Sequence, residues 1–333
     1  MTVTVAILGG GFMASAHAAG YRALGERARV KWVASHTSDR ARRVAESVGA
    51  ELTSDLDTAI RDPEVDAVDI CLPTPLHRES AERALAASKH VFLEKPIALT
   101  LADAEAIGSA AQASGRILMV GMVLRFWPEY VELRRRAAAG ELGALRAVST
   151  FRLSPPADWN EWMADRSRSG GTAVDLLVHD FDQMNWLLGA PVAVHATEPA
   201  PGHVQALVEY EGASGLAEGS MRIPSSYPFS SLIRVLGEDG VAEYAFSAAP
   251  VEGEGNIGAS SSARGLRLHR AGEEAVTVPV ESADPWGPEI AAFVDCLERG
   301  RPPDQGTPEQ ATLALRVSLA AVRSLASGRP ETV

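Results

Sequence analysis

Residues 3–14 read VTVAILGGGFMA. Val3–Leu8 carries no charge and reads as a short buried strand. The glycines follow at once as Gly9-x-Gly11-x-x-Ala14, and Phe12–Leu24 has Ala-rich helical spacing. Glycine permits a tight turn and lets main-chain N–H groups approach an anion. The helix behind it offers unpaired donors and the positive end of its dipole. Ala14 is small enough for close packing of helix on strand. Strand, turn and helix together predict a pyrophosphate cradle, with Gly9, Gly11, Phe12 and Met13 as its contacts. The bland alternative is a tight strand-to-helix turn with no ligand, because GxGxxA alone is a weak signal.

The alternation continues downstream. Strands are expected at Val30–Ser35, Val65–Leu72, His90–Leu93 and Ile117–Val120. Helices are expected at Ser38–Val48, His77–Ser88 and Thr100–Ser114. Ser38 and Thr100 are candidate N-caps, and Asp103 completes a capping box with Thr100. Strands separated by helices imply parallel pairing with crossovers, so a doubly wound α/β domain over residues 1–121. After a helix near Glu129–Ala139 the pattern changes. Eight strand-like runs follow, at Ala144–Leu153, Val192–Thr197, Val204–Tyr210, Leu216–Ile223, Leu232–Leu236, Ala242–Phe246, Leu266–His269 and Ala275–Val280. They predict an α+β domain over 122–333 with a large, mostly antiparallel open sheet. Gly253–Gly265 is rich in Gly and Ser and reads as a surface loop. Helices near Pro288–Arg299 and Pro308–Ser327 end the chain, with the option of packing back on the first domain.

Composition narrows the function. The chain has 333 residues and a formal net charge of -12. An acidic surface argues against nucleic acid, which needs a basic footprint. No run approaches the roughly 20 apolar residues that span a membrane, and the start lacks the features of a signal peptide. A cytoplasmic protein is expected. The two cysteines, Cys71 and Cys296, form no framework and no CxxC, so neither a disulfide scaffold nor a metal is expected.

The end of the second strand bears on the choice of dinucleotide. An NAD site usually has an acidic residue there for the ribose 2′-hydroxyl. Here Ser35, His36 and Thr37 stand in its place, with Arg40 beyond and Asp39 inside the next helix. Hydroxyls and a cation suit a 2′-phosphate better, so NADP is the preferred cofactor and NAD the alternative.

Two further motifs bear on chemistry. In HVFLEKPIALT, residues 90–100, an apolar strand ends in Glu94, Lys95 and Pro96. The carboxyl ends of such strands line the cofactor crevice. A lysine there is partly desolvated, which lowers its pKa, and Glu94 would counter that shift and orient its neighbour. A cis Lys95–Pro96 bond fits the proline. Pro73, Thr74 and Pro75 form a rigid turn lining the same crevice, with Leu72, Pro73 and Thr74 as expected cofactor contacts. His77 is read two ways, as a cofactor neighbour or as a helix-start residue. In SGGTAVDLLVHDFD, residues 169–182, Asp175 and His179 lie four apart, which on a helix puts them on one face. Histidine suits proton transfer near neutrality. Asp180 and Asp182 are read as surface or substrate-facing.

These motifs together resemble the Gfo/Idh/MocA oxidoreductases, which include glucose–fructose oxidoreductase and inositol dehydrogenase. The matching stretches are ILGGGFMASAH, DICLPTPLHRESAERALAASKHVFLEKP and WMADRSRSGGTAVDLLVHDFDQMNWLLG, with EIAAFVDCLERGRPP near the end. The resemblance covers nearly the whole chain. It implies an N-terminal Rossmann domain, a nicotinamide cofactor and a sugar, inositol or related polyol as substrate. It also implies homodimers or homotetramers formed through the C-terminal sheet. By motif position, Lys95, Asp175 and His179 form its catalytic trio. Glu94, and His77 in one of its two readings, are expected beside the cofactor; Trp162 falls near the active site by the same match, and Arg125 and Trp162 are read as polyol contacts or as packing and surface residues. Met163 replaces an arginine that often follows the tryptophan. His179 is assigned as general base and Lys95 as donor to the reacting oxygen, roles the two can exchange. Two other classes stay open: a glycosidase that uses bound nicotinamide transiently, and a dinucleotide-sensing regulator without catalysis.

Overall fold

The computed structural model describes residues 2–36, 39–156, 161–248, 261–281 and 284–333. The chain divides into two compact units. One takes Met1–Trp127 and Ala283–Thr312, the other Pro128–Ser282 and Leu313–Val333.

In the first unit, six parallel strands are β1 (Val3–Leu8), β2 (Ala28–Ala34), β3 (Glu51–Thr53), β4 (Ala67–Ile70), β5 (His90–Glu94) and β6 (Leu118–Gly121). Their order, β3-β2-β1-β4-β5-β6, reverses direction between β1 and β4. Loops leaving the carboxyl ends on either side of such a reversal diverge and open a crevice. The crossovers carry helices α1 (Phe12–Ala23), α2 (Asp39–Val48), α3 (Leu56–Arg61), α4 (His77–Ala86) and α5 (Leu101–Ser114). Strands β1 and β4 are buried along their whole length, as a sheet covered on both faces requires. The expected alternation is therefore present, with β3 and α3 added where the sequence gives no strong period. Thr100 caps α5 as expected, its hydroxyl accepting from the Asp103 N–H. Ser38 lies outside the described residues.

The second unit begins with α6 (Pro128–Ala138) and holds a nine-stranded sheet. Its strands are β7 (Leu145–Leu153), β8 (Pro191–Ala200), β9 (His203–Tyr210), β10 (Ala213–Ser220), β11 (Phe229–Gly237), β12 (Gly240–Ala248), β13 (Ser261–Arg270), β14 (Val276–Thr277) and β15 (Glu331–Thr332). The order is β14-β13-β12-β11-β7-β10-β9-β8-β15. Among the described residues of this sheet, β7 and β10 pair in parallel and the other pairs are antiparallel. Alternation decides the faces: Val204, Ala206, Val208 and Tyr210 of β9 are buried, whereas Gln205, Leu207 and Glu209 face outward. The last part of the Gly- and Ser-rich stretch Gly253–Gly265 is strand, since β13 begins at Ser261; its first part lies outside the described residues.

Short helices α7 (Glu161–Ala164) and α8 (Arg166–Ser169) precede α9 (Val178–Leu188). Two glycines of β10 let this segment lie against the sheet. A Cβ at Gly215 would come 2.5 Å from Met184 Sδ, and one at Gly219 2.7 Å from Leu177. Helices α10 (Gly287–Arg299) and α11 (Pro308–Ser327) follow β14 and precede β15. Within the first unit, Ile290, Phe293 and Val294 of α10 join the core formed by Val5, Ile7, Ala14, Ala18 and Phe92.

A buried ion pair pins α9 to β7. Arg152 Nε donates to Asp180 Oδ2 at 2.9 Å and Nη2 to Oδ1 at 3.3 Å, with both side chains almost fully enclosed. Removing one partner of such a pair leaves an uncompensated buried charge. Asp180→Asn should therefore cost about 3–5 kcal/mol, read as a lower urea midpoint at unchanged slope.

Candidate active site

Each glycine of the β1–α1 turn meets a different neighbour. Gly9 has φ +125°, and a Cβ there would lie 2.5 Å from the Cys71 carbonyl oxygen. At Gly10 a Cβ would lie 2.5 Å from the Ala41 Cβ on α2. At Gly11 it would meet nothing within 4 Å. Gly11 is also the N-cap of α1 and supplies no side-chain hydrogen bond to the first turn. Thus Gly9 and Gly10 close the turn, and Gly11 leaves an open cradle below the free N–H groups of Phe12, Met13 and Ala14. Those features fit a dinucleotide pyrophosphate. Phe12 stands beside it, edge-on to Trp286 with ring centroids 5.4 Å apart.

Ser35 directly follows β2. Its N–H bonds the Thr53 carbonyl at 2.9 Å, and its hydroxyl would sit 3.1 Å from a Cβ at Gly10. It therefore adjoins the glycine turn. His36 and Arg40 are exposed; Thr37 lies outside the described residues.

The turn after β4 is braced by His77. Its ring is buried, with Nε2 2.8 Å from the Leu72 carbonyl and Nδ1 3.0 Å from the Pro96 carbonyl. Burial lowers its pKa, so a neutral ring donates to one carbonyl at a time. His77 thereby ties Leu72, Pro73 and Thr74 to the segment after β5. His77 is the first residue of α4, as the helix-start reading has it, and its ring is also a strut between these two loops.

At the end of β5 the Lys95–Pro96 bond is cis, and Lys95 is half-buried. Glu94 bonds its neighbour through the main chain and meets a buried histidine on its other side. Its carboxylate turns inward: Oε2 accepts from the Lys95 main-chain N–H at 3.0 Å, and Oε1 lies 3.2 Å from His17 Nε2. His17 Nδ1 sits 3.1 and 3.0 Å from the two Asp69 oxygens, and Glu289 of α10 completes the cluster. Sequence reading missed His17, Asp69 and Glu289. The ILGGGFMASAH stretch contains the histidine, but a helical His signals nothing until its partners are known.

In the second unit, Asp175 is buried and His179 half-buried. The expected single helix is replaced by two pieces. Gly170 and Gly171 both have positive φ, and Thr172–Leu176 then forms a π-type turn. The Leu177 N–H bonds the Thr172 carbonyl, five residues back, at 2.9 Å. Helix α9 starts only at Val178. Asp175 thus belongs to a widened turn, a feature frequent at functional sites, and α-helical spacing does not describe its relation to His179. Asp180 and Asp182 are neither surface nor exposed groups: both are buried, and Asp180 is held by Arg152.

Arg125, expected beside the substrate, is buried and donates through Nη1 to Gln305 Oε1 at 2.7 Å within the first unit. Trp162 is half-buried on α7. A cavity of about 770 Å³ in the second unit is lined by Met163, Arg166, Thr172, Glu198, Met221 and Arg222, among others. Asp175 and His179 are not among its described lining residues.

A crevice at the β1–β4 reversal, an open glycine cradle and a lysine at the end of β5 define a dinucleotide-binding oxidoreductase of the doubly wound class. The family models agree. Residues 3–122 match the oxidoreductase family with an NAD-binding Rossmann fold, and 130–243 match the GFO/IDH/MocA C-terminal domain. The chain belongs to the Gfo/Idh/MocA family of NAD-binding oxidoreductases. It is 28% identical to scyllo-inositol 2-dehydrogenase (NAD(+)) of Bacillus subtilis (strain 168), over 98% of this chain and 95% of that one. The crystal structure of aldose-aldose oxidoreductase from Caulobacter crescentus complexed with glycerol superposes with a TM-score of 0.85 at 25% identity, covering 100% of both chains. GenD2 from gentamicin A biosynthesis, in complex with NAD, superposes with a TM-score of 0.83 at 26% identity, covering 100% of this chain and 96% of that one.

Two predictions follow from local geometry. Gly11→Asp places its side chain in open space and supplies the missing cap, so the melting temperature should hold or rise slightly, by about a few tenths of a kcal/mol of stability. The added carboxylate would repel a pyrophosphate. Nucleotide affinity should therefore fall at least about 100-fold, on the order of 3 kcal/mol, measured by fluorescence titration.

The second concerns Glu289, whose two oxygens have no hydrogen-bond partner among the described residues. Burial holds its carboxyl well above the usual range, against the pull of His17 and with the push of Glu94 and Asp69. The folded protein keeps a proton that the unfolded chain releases above about pH 4.5. Stability then falls as pH rises toward the folded value, by up to about 1.4 kcal/mol per unit. Glu289→Gln should remove that share of the slope in pH-dependent urea unfolding. The share of His17, lost only above about pH 6.5, should remain.

Proposed function

We propose that the protein transfers a hydride between NADP and a secondary alcohol or ketone of a sugar, inositol or related polyol. One observation carries this reading. The glycine turn after β1, the braced Leu72–His77 turn after β4 and Lys95 after β5 leave three neighbouring strands at their carboxyl ends. That is where a doubly wound sheet binds a dinucleotide. The preference for NADP rests on Ser35, His36 and Arg40, with no carboxylate in the described residues directly after β2.

When bound, the nicotinamide takes or gives the hydride. The residues of this chain handle binding and the proton. The cradle at Gly11 binds the pyrophosphate through the N–H groups of α1. The Lys95 ammonium donates to the reacting oxygen and stabilises the negative charge that develops there. His179 takes the hydroxyl proton in oxidation and returns it in reduction, and Asp175 orients it or holds a neighbouring hydroxyl.

No helix among the described residues is long and apolar enough to cross a membrane. Two free thiols suit a reducing cytoplasm, and the acidic balance suits a small-molecule partner. We infer a homodimer or homotetramer joined through the open face of the nine-stranded sheet. Its support is the cross-strand pair Leu207 and Leu216, 42% and 50% exposed, with Leu236 on the same sheet.

The test follows nicotinamide absorbance with inositols, aldoses and keto-sugars, both cofactors and both directions. Turnover faster with NADP is expected. Lys95→Ala should lower kcat by roughly 10²–10⁴-fold with nucleotide affinity little changed. Near-normal turnover would remove Lys95 from the assignment, and sugar release without net cofactor reduction would replace hydride transfer by transient oxidation and elimination.

A further inference from the structure

We propose that His17 is the positioning residue for Lys95: gripped by Asp69, it holds the Glu94 carboxylate, and Glu94 holds the main-chain N–H of Lys95. The inference rests on Lys95 being the catalytic lysine of the proposed reaction.

The chain of contacts is continuous and enclosed. His17 is fully buried in the second turn of α1. Its Nδ1 lies 3.1 and 3.0 Å from the Asp69 oxygens, and its Nε2 3.2 Å from Glu94 Oε1. Glu94 Oε2 then accepts from the Lys95 N–H at 3.0 Å. Gly121 pairs with Glu94 across β6, and a Cβ there would stand 3.1 Å from Glu94 Oε1, so the missing side chain leaves room for the carboxylate. Phe92 walls the imidazole edge-on, with centroids 5.2 Å apart at 88°.

The protonation state follows from this geometry. A neutral imidazole donates through one nitrogen and presents a lone pair at the other. Both nitrogens of His17 face carboxylates, so a neutral ring would set a lone pair against a carboxylate oxygen. A ring carrying both protons removes that repulsion. The groups facing it are Asp69 and Cys71 at the end of β4, Glu94 on β5 and Glu289 on α10, with Tyr21 of α1 beside Asp69. Burial opposes the charge, but Asp69 outweighs it and holds the ring pKa well above the usual histidine value.

The grip on Glu94 is Coulombic. Nε2 lies at ion-pair distance without the alignment of a hydrogen bond. It therefore depends on the charge of the ring more than on its shape. Stability alone does not explain such a cluster, because well-packed apolar residues often replace buried ion pairs at no cost. Its position does. Helix α1 carries the phosphate cradle at its first turn and His17 at its second, so one rigid element sets the pyrophosphate and, through Glu94, the backbone of Lys95.

The test uses the intact protein and three variants. Ring ¹⁵N shifts of the histidines in the wild-type protein at pH 8 should include one ring protonated at both nitrogens; only neutral rings would overturn the proposal without any variant. His17→Gln keeps polarity and removes the charge. It should lower kcat by roughly 10–100-fold, the scale of a misplacement of about 1 Å, while nucleotide affinity changes less than about threefold. In a Lys95→Ala background the same substitution should leave kcat unchanged, because the group it positions is gone. An equal further loss there means that His17 acts on the fold and sinks the proposal. Normal turnover of Lys95→Ala alone would instead remove the catalytic lysine, a separate failure. One equivalent of divalent metal in the purified protein would put a cation where the ring proton is placed and also overturn it.

Discussion

The β1–α1 turn exists because two of its positions carry no side chain. Gly9 passes under the Cys71 carbonyl and Gly10 under Ala41, each at a separation that no Cβ could occupy. This close approach lays α1 flat on the sheet, where Ala14 and Ala18 are fully buried. Everything else of functional interest in the first unit follows from where α1 lies. Its N-terminus opens at Gly11 with unpaired donors toward the crevice. Its second turn delivers His17 between β4 and β5. A bulkier turn would lift the helix, and both contacts would go with it.

Most of the fold was legible because its signals are additive along the chain. The glycine turn, the alternation of apolar runs with helical spacing and the Thr100 cap each agree with a doubly wound domain, and the later strand runs agree with an open sheet. The misses have physical causes. Strand β3 is three residues long and partly exposed, so it has no periodic signature. The π-type turn at Thr172–Leu176 depends on Gly170 and Gly171 taking positive φ beside Val174 and Arg166; local spacing cannot tell it from an α-helix. The inward turn of Glu94 is not legible because a strand covered on both faces gives no clue to which side a terminal charge turns. The Arg125–Gln305 contact is not legible because the two residues are remote in sequence.

The two buried charge clusters solve different problems. Arg152 and Asp180 are one cation and one anion with two matched hydrogen bonds, so the pair is neutral and its geometry is complete. Burial still costs desolvation, and the return is a fixed angle of α9 on β7. The cluster around His17 has more acids than bases: Asp69, Glu94 and Glu289 share a single imidazole. Three ionised carboxyls could not be enclosed there together, and the raised pKa of Glu289 says which one keeps its proton. The remaining excess negative charge is what holds the imidazole doubly protonated. Stability and protonation are thus coupled beneath the proposed catalytic lysine.

The overall charge of the chain raises one further point. A protein of net charge -12 repels an anionic dinucleotide at long range. Ions screen that repulsion beyond about 8 Å at physiological salt, so binding is governed by donors within hydrogen-bonding reach. The first turn of α1 supplies such donors without a charged residue: Phe12, Met13 and Ala14 contribute main-chain N–H groups, and no acid stands in that turn. In the proposed NADP reading, Ser35, His36 and Arg40 on α2 would extend that donor set to a 2′-phosphate, with Asp39 beside Arg40 in the first turn of α2. An acid at Ser35 would suit a ribose hydroxyl and oppose a phosphate there. Selectivity between the two nucleotides is therefore a property of a few side chains at one strand end, independent of both the net charge and the fold that presents them.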